Sequence, residues 1–159
     1  MSTTMTLALL MQTAAPAACP AAPVPPPAAL AGWSRRTVVT AGANAVTVPV
    51  GSGVSATLRP TAAVAYAVPP GQHAASGASG GLFAFTVPAA GRYRVALGAG
   101  AWIDVVENGA AAVSVAHGHG PACTGIAKTV DFDLKPGVHQ LQVTGSKAAT
   151  LTLMIARLP

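Results

Sequence analysis

Two histidines and a cysteine near the middle of the chain are the side chains best suited to metal chemistry. His117, His119 and Cys123 lie close together in the sequence AHGHGPAC. Imidazole and thiolate groups are ordinary ligands of zinc and copper, and a His-x-His pair can bring two rings to one ion. A structural zinc site needs more ligands than these, however, and a disulfide would remove the thiolate. Two interpretations therefore stay open: a polar loop with no cofactor, or a divalent-metal site at His117 and His119.

The same cysteine has one potential partner, because Cys19 and Cys123 are the two cysteines of the sequence. In an oxidising compartment, two lone thiols most simply form a disulfide. Such a bond would close a loop of about 100 residues and contribute about 4 to 5 kcal/mol through the entropy of loop closure. We therefore predict a Cys19–Cys123 disulfide that ties the N-terminal tail to the folded domain.

A tryptophan, an aspartate and an arginine form the candidate ligand-binding set. In the run WIDVV that begins at Trp102, the alternation places Trp102 and Asp104 on one face of a strand. A turn centred on Ala99 would put Arg94 opposite Asp104, as an ion pair worth about 0.2 to 1 kcal/mol. The result would be an exposed indole beside polar groups, on which a sugar ring can stack. The alternative is that Trp33 and the lead-in before it cover the indole, because large aromatic side chains gain most from burial.

Carboxylates are scarce, which limits acid–base chemistry. The sequence contains Asp104, Glu107, Asp131 and Asp133. Asp131 and Asp133 alternate with apolar residues and so share one face of a strand. Calcium needs about six to eight oxygen ligands, so a solvated face is favoured over a calcium site. Glycosidase chemistry needs two carboxyl groups at a defined separation, and no pair is singled out.

The segment GASGG at residues 77–81 matches the G-x-S-x-G pattern of nucleophilic serines. That motif requires a strand before the serine and a helix after it. Here a Gly/Ser-rich stretch precedes Ser79 and a predicted strand follows it. No nucleophilic serine is therefore predicted.

Composition favours strands over helices in a single domain. Of the 159 residues, 52% are hydrophobic and 8% are charged, and 17 Gly and 14 Pro punctuate the apolar runs. The formal net charge of +5 comes from scattered basic residues. Nucleic-acid binding normally needs a basic stripe or interleaved aromatic residues, so it is not predicted.

The predicted fold is organised around residues 81–109, interpreted as a β-meander of three alternating strands joined by tight turns. Asn108-Gly109 within it is the strongest hairpin signal of the chain. Short runs at spacings of about 8 to 12 residues are typical of a sandwich, jelly roll or barrel. The runs are residues 37–40, 45–50, 54–58, 63–68, 82–87, 92–97, 102–106, 111–116, 129–134, 139–144 and 151–157. We predict an all-β fold, an antiparallel, jelly-roll-like β-sandwich.

Two strand-turn-strand segments echo each other in sequence. Residues 85–97 and 132–143 each contain an apolar run, a Pro/Gly turn and a second alternating run. The alignment places His139 where the first segment has Tyr93. The longest irregular segment, residues 69–81, is predicted to be a mobile surface loop.

The N-terminus is predicted to direct export. Residues 1–17 contain a short apolar core followed by Ala-Pro-Ala, a small-x-small cleavage pattern. The apolar run is too short for a transmembrane segment, and lipid attachment at Cys19 is an alternative form of anchoring. A proline-rich lead-in, residues 18–32, then precedes a β-sandwich domain at residues 33–159, with Trp33 as its first anchor. We predict a periplasmic or secreted protein.

The chain from Cys19 onward resembles a group of small, uncharacterised bacterial secreted proteins. The resemblance lies in FTVPAAGRYRVALGAGAWIDVV, AHGHGPACTGIAK and VDFDLKPG. Some members of such groups carry the label homogentisate 1,2-dioxygenase, which implies an iron held by two histidines and a carboxylate. His117 and His119 would fill that role, with an acid from elsewhere in the chain. More loosely, the strand-turn-strand units resemble those of carbohydrate-binding jelly rolls and of bacterial pre-peptidase C-terminal domains.

Together these observations predict a non-catalytic module that binds a glycan or serves another component of the cell envelope. Trp102, Arg94 and Asp104 are its candidate ligand-binding residues. The alternatives are a metal-binding protein that uses His117 and His119, and the dioxygenase that the resemblance implies. No nucleic-acid partner is predicted, and the oligomeric state is not determined by these patterns.

Overall fold

The computed structural model describes residues 18–22, 24–70 and 73–159. The predicted export signal, residues 1–17, lies outside these residues. In the described part of the chain, twelve strands form two six-stranded sheets that enclose one main core. The predicted all-β sandwich is confirmed.

The regular structure consists mainly of strands. In chain order they are β1 (Arg36–Thr40), β2 (Val46–Thr47), β3 (Gly53–Thr57), β4 (Arg59–Pro60), β5 (Ser79–Val87), β6 (Gly91–Leu97), β7 (Trp102–Glu107), β8 (Ala110–Ala111), β9 (Ser114–Gly118), β10 (Lys128–Leu134), β11 (Gly137–Ser146) and β12 (Thr150–Arg157). Among the described residues, the 3₁₀ helix Ala28–Ser34 precedes β1, and the 3₁₀ helix Thr61–Ala63 follows β4. Most predicted runs overlap a strand, but residues 63–68 do not.

The strand order is that of a jelly roll. The first sheet runs β1-β3-β12-β6-β10-β9, and the second runs β2-β5-β11-β7-β8, with β4 also beside β5. Taking β3, β5, β6, β7, β8, β10, β11 and β12 as the eight strands of the fold, the first, eighth, third and sixth share one sheet and the others share the second. Two Greek keys wound in this way define the jelly roll. Because β1 pairs with β3 and β2 with β5 in parallel, both sheets are mixed rather than wholly antiparallel.

The predicted β-meander at residues 81–109 is wrong in its connections. β5 and β7 lie in the second sheet, whereas β6 lies in the first. Each of these strands has one strongly apolar face, and crossing between the sheets after each strand turns these faces toward one another. The links at residues 88–90 and 98–101 are therefore arches between sheets, not hairpins.

The core lies between the sheets and is built by alternate residues of each strand, as the period of two predicted. Its largest members are the aromatic side chains Phe83, Phe85, Tyr93 and Phe132. Aliphatic residues from both sheets, such as Val105 of β7, complete the cluster. Burial of this apolar surface is the main force that holds the sheets together.

The two segments that echo each other in sequence make the same contact in the structure. The Tyr93 hydroxyl donates a hydrogen bond of 2.8 Å to the Ala89 carbonyl, four residues upstream. His139 Nε2 donates a bond of 2.8 Å to the Lys135 carbonyl, also four residues upstream. The first contact is similar to the tyrosine corner of other β-sandwiches, in which a tyrosine hydroxyl bonds to the backbone a few residues upstream. His139 therefore takes the place of Tyr93, although each segment is an arch between sheets rather than a hairpin.

Part of the segment that follows Thr61–Ala63 packs on the outer face of the second sheet through Gln142. The buried Gln142 amide accepts hydrogen bonds from the N–H groups of Ala67 and Val68, at 2.7 and 3.0 Å, and donates one of 3.0 Å to the Val68 carbonyl. These bonds satisfy backbone groups that a strand would pair with a neighbour. The strand predicted at residues 63–68 is wrong for this reason.

The lead-in is attached to the outer face of the first sheet. The 3₁₀ helix Ala28–Ser34 buries Leu30 and Trp33 in a cluster with Ala96, Ile126, Met154 and Ala156. Trp33 is therefore an anchor, as predicted. Further upstream, Cys19 and Cys123 form the predicted disulfide, with Cα atoms 5.5 Å apart across 104 residues of sequence.

Candidate functional site

Trp102 and Asp104 lie on the outer face of the second sheet, as the alternation in β7 predicted. Ile103 and Val105 of the same strand are buried in the core, so the residues that alternate with them face outward. The indole Nε1 donates to both Asp104 carboxylate oxygens, at 3.1 Å each. Trp102 nevertheless keeps 41% of its surface exposed. The alternative in which Trp33 and the lead-in cover the indole is wrong, because Leu30 and Trp33 pack on the other sheet.

Two basic side chains contact the Trp102 ring. The His73 imidazole stacks on the indole, with ring centroids 3.8 Å apart and planes inclined by 5°. The Lys128 ammonium lies over the ring, 5.3 Å from its centroid, as a cation–π contact. Its Nζ also donates a hydrogen bond of 2.7 Å to the Ala101 carbonyl. Partial burial lowers the pKa of Lys128, and the nearby Asp104 carboxylate opposes that shift.

Trp102 separates two surface grooves and is the residue common to both. The Thr144 groove, about 690 Å³, is lined by Trp102 together with His73, Ala75, Ala99, Gly100, Ala101, Thr144, Gly145, Lys147 and Ala148. The Ser114 groove, about 340 Å³, is lined by Trp102 together with Ile103, Ser114, His117, Lys128 and Val130. Both volumes fall in the range of small-molecule sites. Trp102 is the one aromatic residue among the exposed large hydrophobic residues of the described chain.

Thr144 places an unsatisfied hydroxyl beside this surface. It pairs directly with Trp102 across β11 and β7. Its side chain is fully buried, and its hydroxyl has no hydrogen-bond partner among the residues that the structure describes. A buried hydroxyl without a partner is unfavourable.

Arg94 does not lie beside Asp104, so the predicted ion pair is wrong. It belongs to β6 in the first sheet and pairs there with Asp131 of β10. Its Nε and Nη2 donate to the two Asp131 oxygens at 2.7 and 2.8 Å. These hydrogen bonds raise the pKa of Arg94. The arch at residues 98–101 carries β7 into the opposite sheet and so separates Arg94 from Trp102.

His117 and His119 line different depressions. His117 in β9 borders the Ser114 groove. His119 Nδ1 donates a hydrogen bond of 2.8 Å to the Ala127 carbonyl, and its ring borders a depression beside the disulfide. Cys123 is held in that disulfide and supplies no thiolate. Among residues 18–22, 24–70 and 73–159, no group of three His, Cys, Asp or Glu side chains is placed to hold a metal.

The iron implied by the dioxygenase label does not fit the described residues. Two histidines and a carboxylate would have to converge, and no such group is present there. Asp131 and Asp133 are engaged by Arg94 and Arg92, and Asp104 by the indole of Trp102. The Arg92 guanidinium lowers the pKa of Asp133. We derive no reaction step through iron.

Ser79 lacks the surroundings of a nucleophile. It is the first residue of β5, so a strand rather than a helix follows it. Its neighbours in register are Pro60 and Ser146. The G-x-S-x-G match therefore has no catalytic geometry.

The residues that accompany Trp102 were not predicted from the sequence. Lys128 could have been found, because it is in phase with the core residues Val130 and Phe132 and so lies on the apolar face of its strand. His73 and Thr144 carry no local signal. His73 approaches Trp102 through the path of the segment before β5, and Thr144 does so through the pairing of β7 with β11.

No family model matches the chain, and a search of curated proteins finds no match to it. None of the helices in the described residues could span a membrane. The class of protein is therefore defined by the fold and the site: a disulfide-bonded jelly-roll β-sandwich with a fixed, exposed tryptophan between two grooves.

Proposed function

We propose that this protein is a non-catalytic carbohydrate-binding β-sandwich that works outside the cytoplasm, in the periplasm or after secretion. The observation that carries the proposal is the exposed and immobilised Trp102. A tryptophan combines a large apolar surface with a polar edge, and it is usually highly buried. A sugar ring has flat C–H faces bordered by hydroxyl groups, so it complements an exposed indole with polar neighbours.

The orientation of Trp102 is set before any ligand arrives. Asp104 holds the indole N–H, and His73 stacks on the ring. Pre-organisation of this kind reduces the entropy that a side chain loses on binding. The fixed ring is therefore suited to recognition at low entropic cost.

We place the sugar in the Ser114 groove. His73 stacks on the indole ring from the side of the Thr144 groove. It does not line the Ser114 groove. Ser114, His117 and Lys128 add hydroxyl, imidazole and ammonium groups around the ring. A largely apolar depression with a few polar groups is the usual composition of a ligand site.

The environment of the carboxylates favours binding over glycoside cleavage. Cleavage uses two carboxyl groups placed on either side of the scissile bond. Asp131 and Asp133 instead form ion pairs with arginines, and neither lines a groove beside Trp102. Asp104 is held by the indole N–H.

The disulfide supports a location outside the cytoplasm. Structural disulfides persist in oxidising compartments and are rare in the cytosol. Cys19 and Cys123 are bonded in this protein, and the export signal predicted at residues 1–17 agrees with that chemistry. The glycan would then belong to the cell envelope or to the surroundings of the cell.

The test measures how strongly the intact protein and the Trp102→Ala variant bind soluble and insoluble polysaccharides. We expect the variant to fold normally and to bind at least about tenfold more weakly, because stacked aromatic contacts dominate such sites. Val138→Ala is the matched control, since Val138 is a 74% exposed apolar residue of the same sheet. Undiminished binding by Trp102→Ala would remove the proposed site.

A further inference from the structure

The ionisable side chains that line the two grooves, among the described residues, are all basic. His117 and Lys128 border the Ser114 groove, and His73 and Lys147 border the Thr144 groove. No aspartate or glutamate lines either groove in that part of the chain. A depression lined by charges of one sign attracts ligands of the other sign.

Lys128 is the ammonium group that lies over the indole, and its charge is incompletely compensated. Its ammonium has three donors, and the Ala101 carbonyl accepts from one of them. The ion pairs in the described part of the chain join arginines to aspartates and do not involve Lys128. Partial burial lowers the pKa of Lys128, and the nearby Asp104 carboxylate offsets only part of that shift. An anionic group placed beside this ammonium would relieve that penalty.

We infer that the ligand of the Trp102 surface is an acidic saccharide, whose anionic group binds Lys128 while its ring packs against the indole. The inference rests on the proposed function and adds the charge of the ligand. Lys128 lines the Ser114 groove and lies over the Trp102 ring, so one sugar unit in this groove can contact both the ammonium and the indole. Lys147 in the Thr144 groove would attract a further anionic unit of the same chain.

Among the described residues, Asp104 is the one carboxylate close to this surface, and its position is compatible with an acidic ligand. Its two oxygens accept from the indole N–H, so the charge lies at that edge of Trp102. Lys128 contacts the ring over its face instead. We therefore expect the anionic group at the Lys128 side, away from Asp104.

The test compares an oligogalacturonate with its neutral methyl ester, which has the same sugar backbone. We expect the protein to bind the acid at least about tenfold more tightly than the ester, the usual scale for a hydrogen bond to a charged group. Lys128→Met should abolish this preference, and Lys128→Arg should retain most of it. Lys135→Met is the matched control, because Lys135 follows the opposite end of β10, about 23 Å along the strand from Lys128.

Two further ligands separate the outcomes. A sulfated galactan oligomer that also binds through Lys128 would extend recognition to sulfate, whereas binding of the galacturonate alone would restrict it to carboxylate; both results support the inference. Equal binding of acid and ester that is lost in Trp102→Ala but kept in Lys128→Met would overturn it and leave the proposed function intact. If no acidic or neutral polysaccharide binds at all, both fail.

Discussion

The two tryptophans lie on the outer faces of opposite sheets and are treated in opposite ways. Trp33 is 1% exposed, enclosed by the lead-in and by small residues of β6 and β12, whereas Trp102 is 41% exposed. Each has a cationic group over its ring, Arg36 at 5.6 Å and Lys128 at 5.3 Å. The lead-in buries Trp33, which therefore stabilises the fold. Trp102 has no such cover, and hydrogen bonds and stacking hold its ring in place while it remains exposed to solvent.

The burial of Trp33 depends on a close approach between the backbone of the lead-in and the backbone at Gly51. A Cβ atom added at Gly32, next to Trp33, would overlap the carbonyl of Gly51. Glycine is therefore needed for the lead-in to reach the first sheet. In the described chain, Trp102 has no covering of this kind: His73 and Lys128 contact its ring, and the residue stays 41% exposed.

The largest loss of stability is expected from removing the Cys19–Cys123 disulfide, which holds the lead-in to the domain. Cys19→Ser combined with Cys123→Ser should lower the free energy of unfolding by about 4 to 5 kcal/mol, because the closed loop is about 100 residues long. Urea unfolding measures this change. A reducing agent should weaken the natural protein by the same amount and leave the variant unchanged. Equal stability of the two proteins would mean that the lead-in does not depend on the disulfide.

A slightly smaller loss is expected from Trp33→Ala. The substitution should cost about 3 to 5 kcal/mol, because it leaves a cavity beneath the lead-in at a fully enclosed site. Thermal and urea unfolding, followed by far-UV circular dichroism, measure the loss. A change below about 1 kcal/mol would place Trp33 outside the cooperative core.

The two ion pairs on the outer face of the first sheet should contribute differently to stability, because one is more buried than the other. Arg94→Ala leaves the buried Asp131 without its partner and should cost about 2 kcal/mol, less than for a fully buried pair because the Arg94 side chain is 30% exposed. Arg92→Ala is the matched control, since both members of its pair are about half exposed, and it should cause no measurable loss. Urea midpoints distinguish the two. Equal losses would contradict the difference in burial.

The smallest effect on stability is expected from Trp102→Ala. Its free energy of unfolding should change by less than about 1 kcal/mol, because the side chain is partly exposed and outside the core. The same unfolding experiment used for Trp33→Ala provides the comparison. A loss as large as that of Trp33→Ala would make Trp102 a folding residue and remove the contrast between the two indoles.

Local features of the fold could be predicted from the sequence. Alternation identified the inward residues of β5, β6 and β7, and Asn108-Gly109 forms the predicted turn between β7 and β8 with positive φ at both residues. These features depend on neighbouring residues alone. The disulfide was predictable because the chain offers one pairing of its two cysteines.

Sheet membership could not be predicted in the same way, and the candidate site depended on it. A period of two determines which side chains share a face but not which strand lies alongside. Arg94 was therefore paired with Asp104, whereas Asp131, much further along the chain, is its partner. The phase of Lys128 places it on the apolar face of its strand, but its contact with Trp102 could not be predicted, because the two residues belong to opposite sheets.

The most direct test of the central claim follows both indole N–H signals in a two-dimensional ¹⁵N NMR spectrum during titration with the acidic oligosaccharide. The protein has two tryptophans, so Trp102→Ala assigns both signals. We predict that the Trp102 signal shifts progressively and saturates, while the buried Trp33 signal stays in place. A Trp102 signal that does not move while the oligosaccharide binds, or a shift confined to Trp33, would contradict the account.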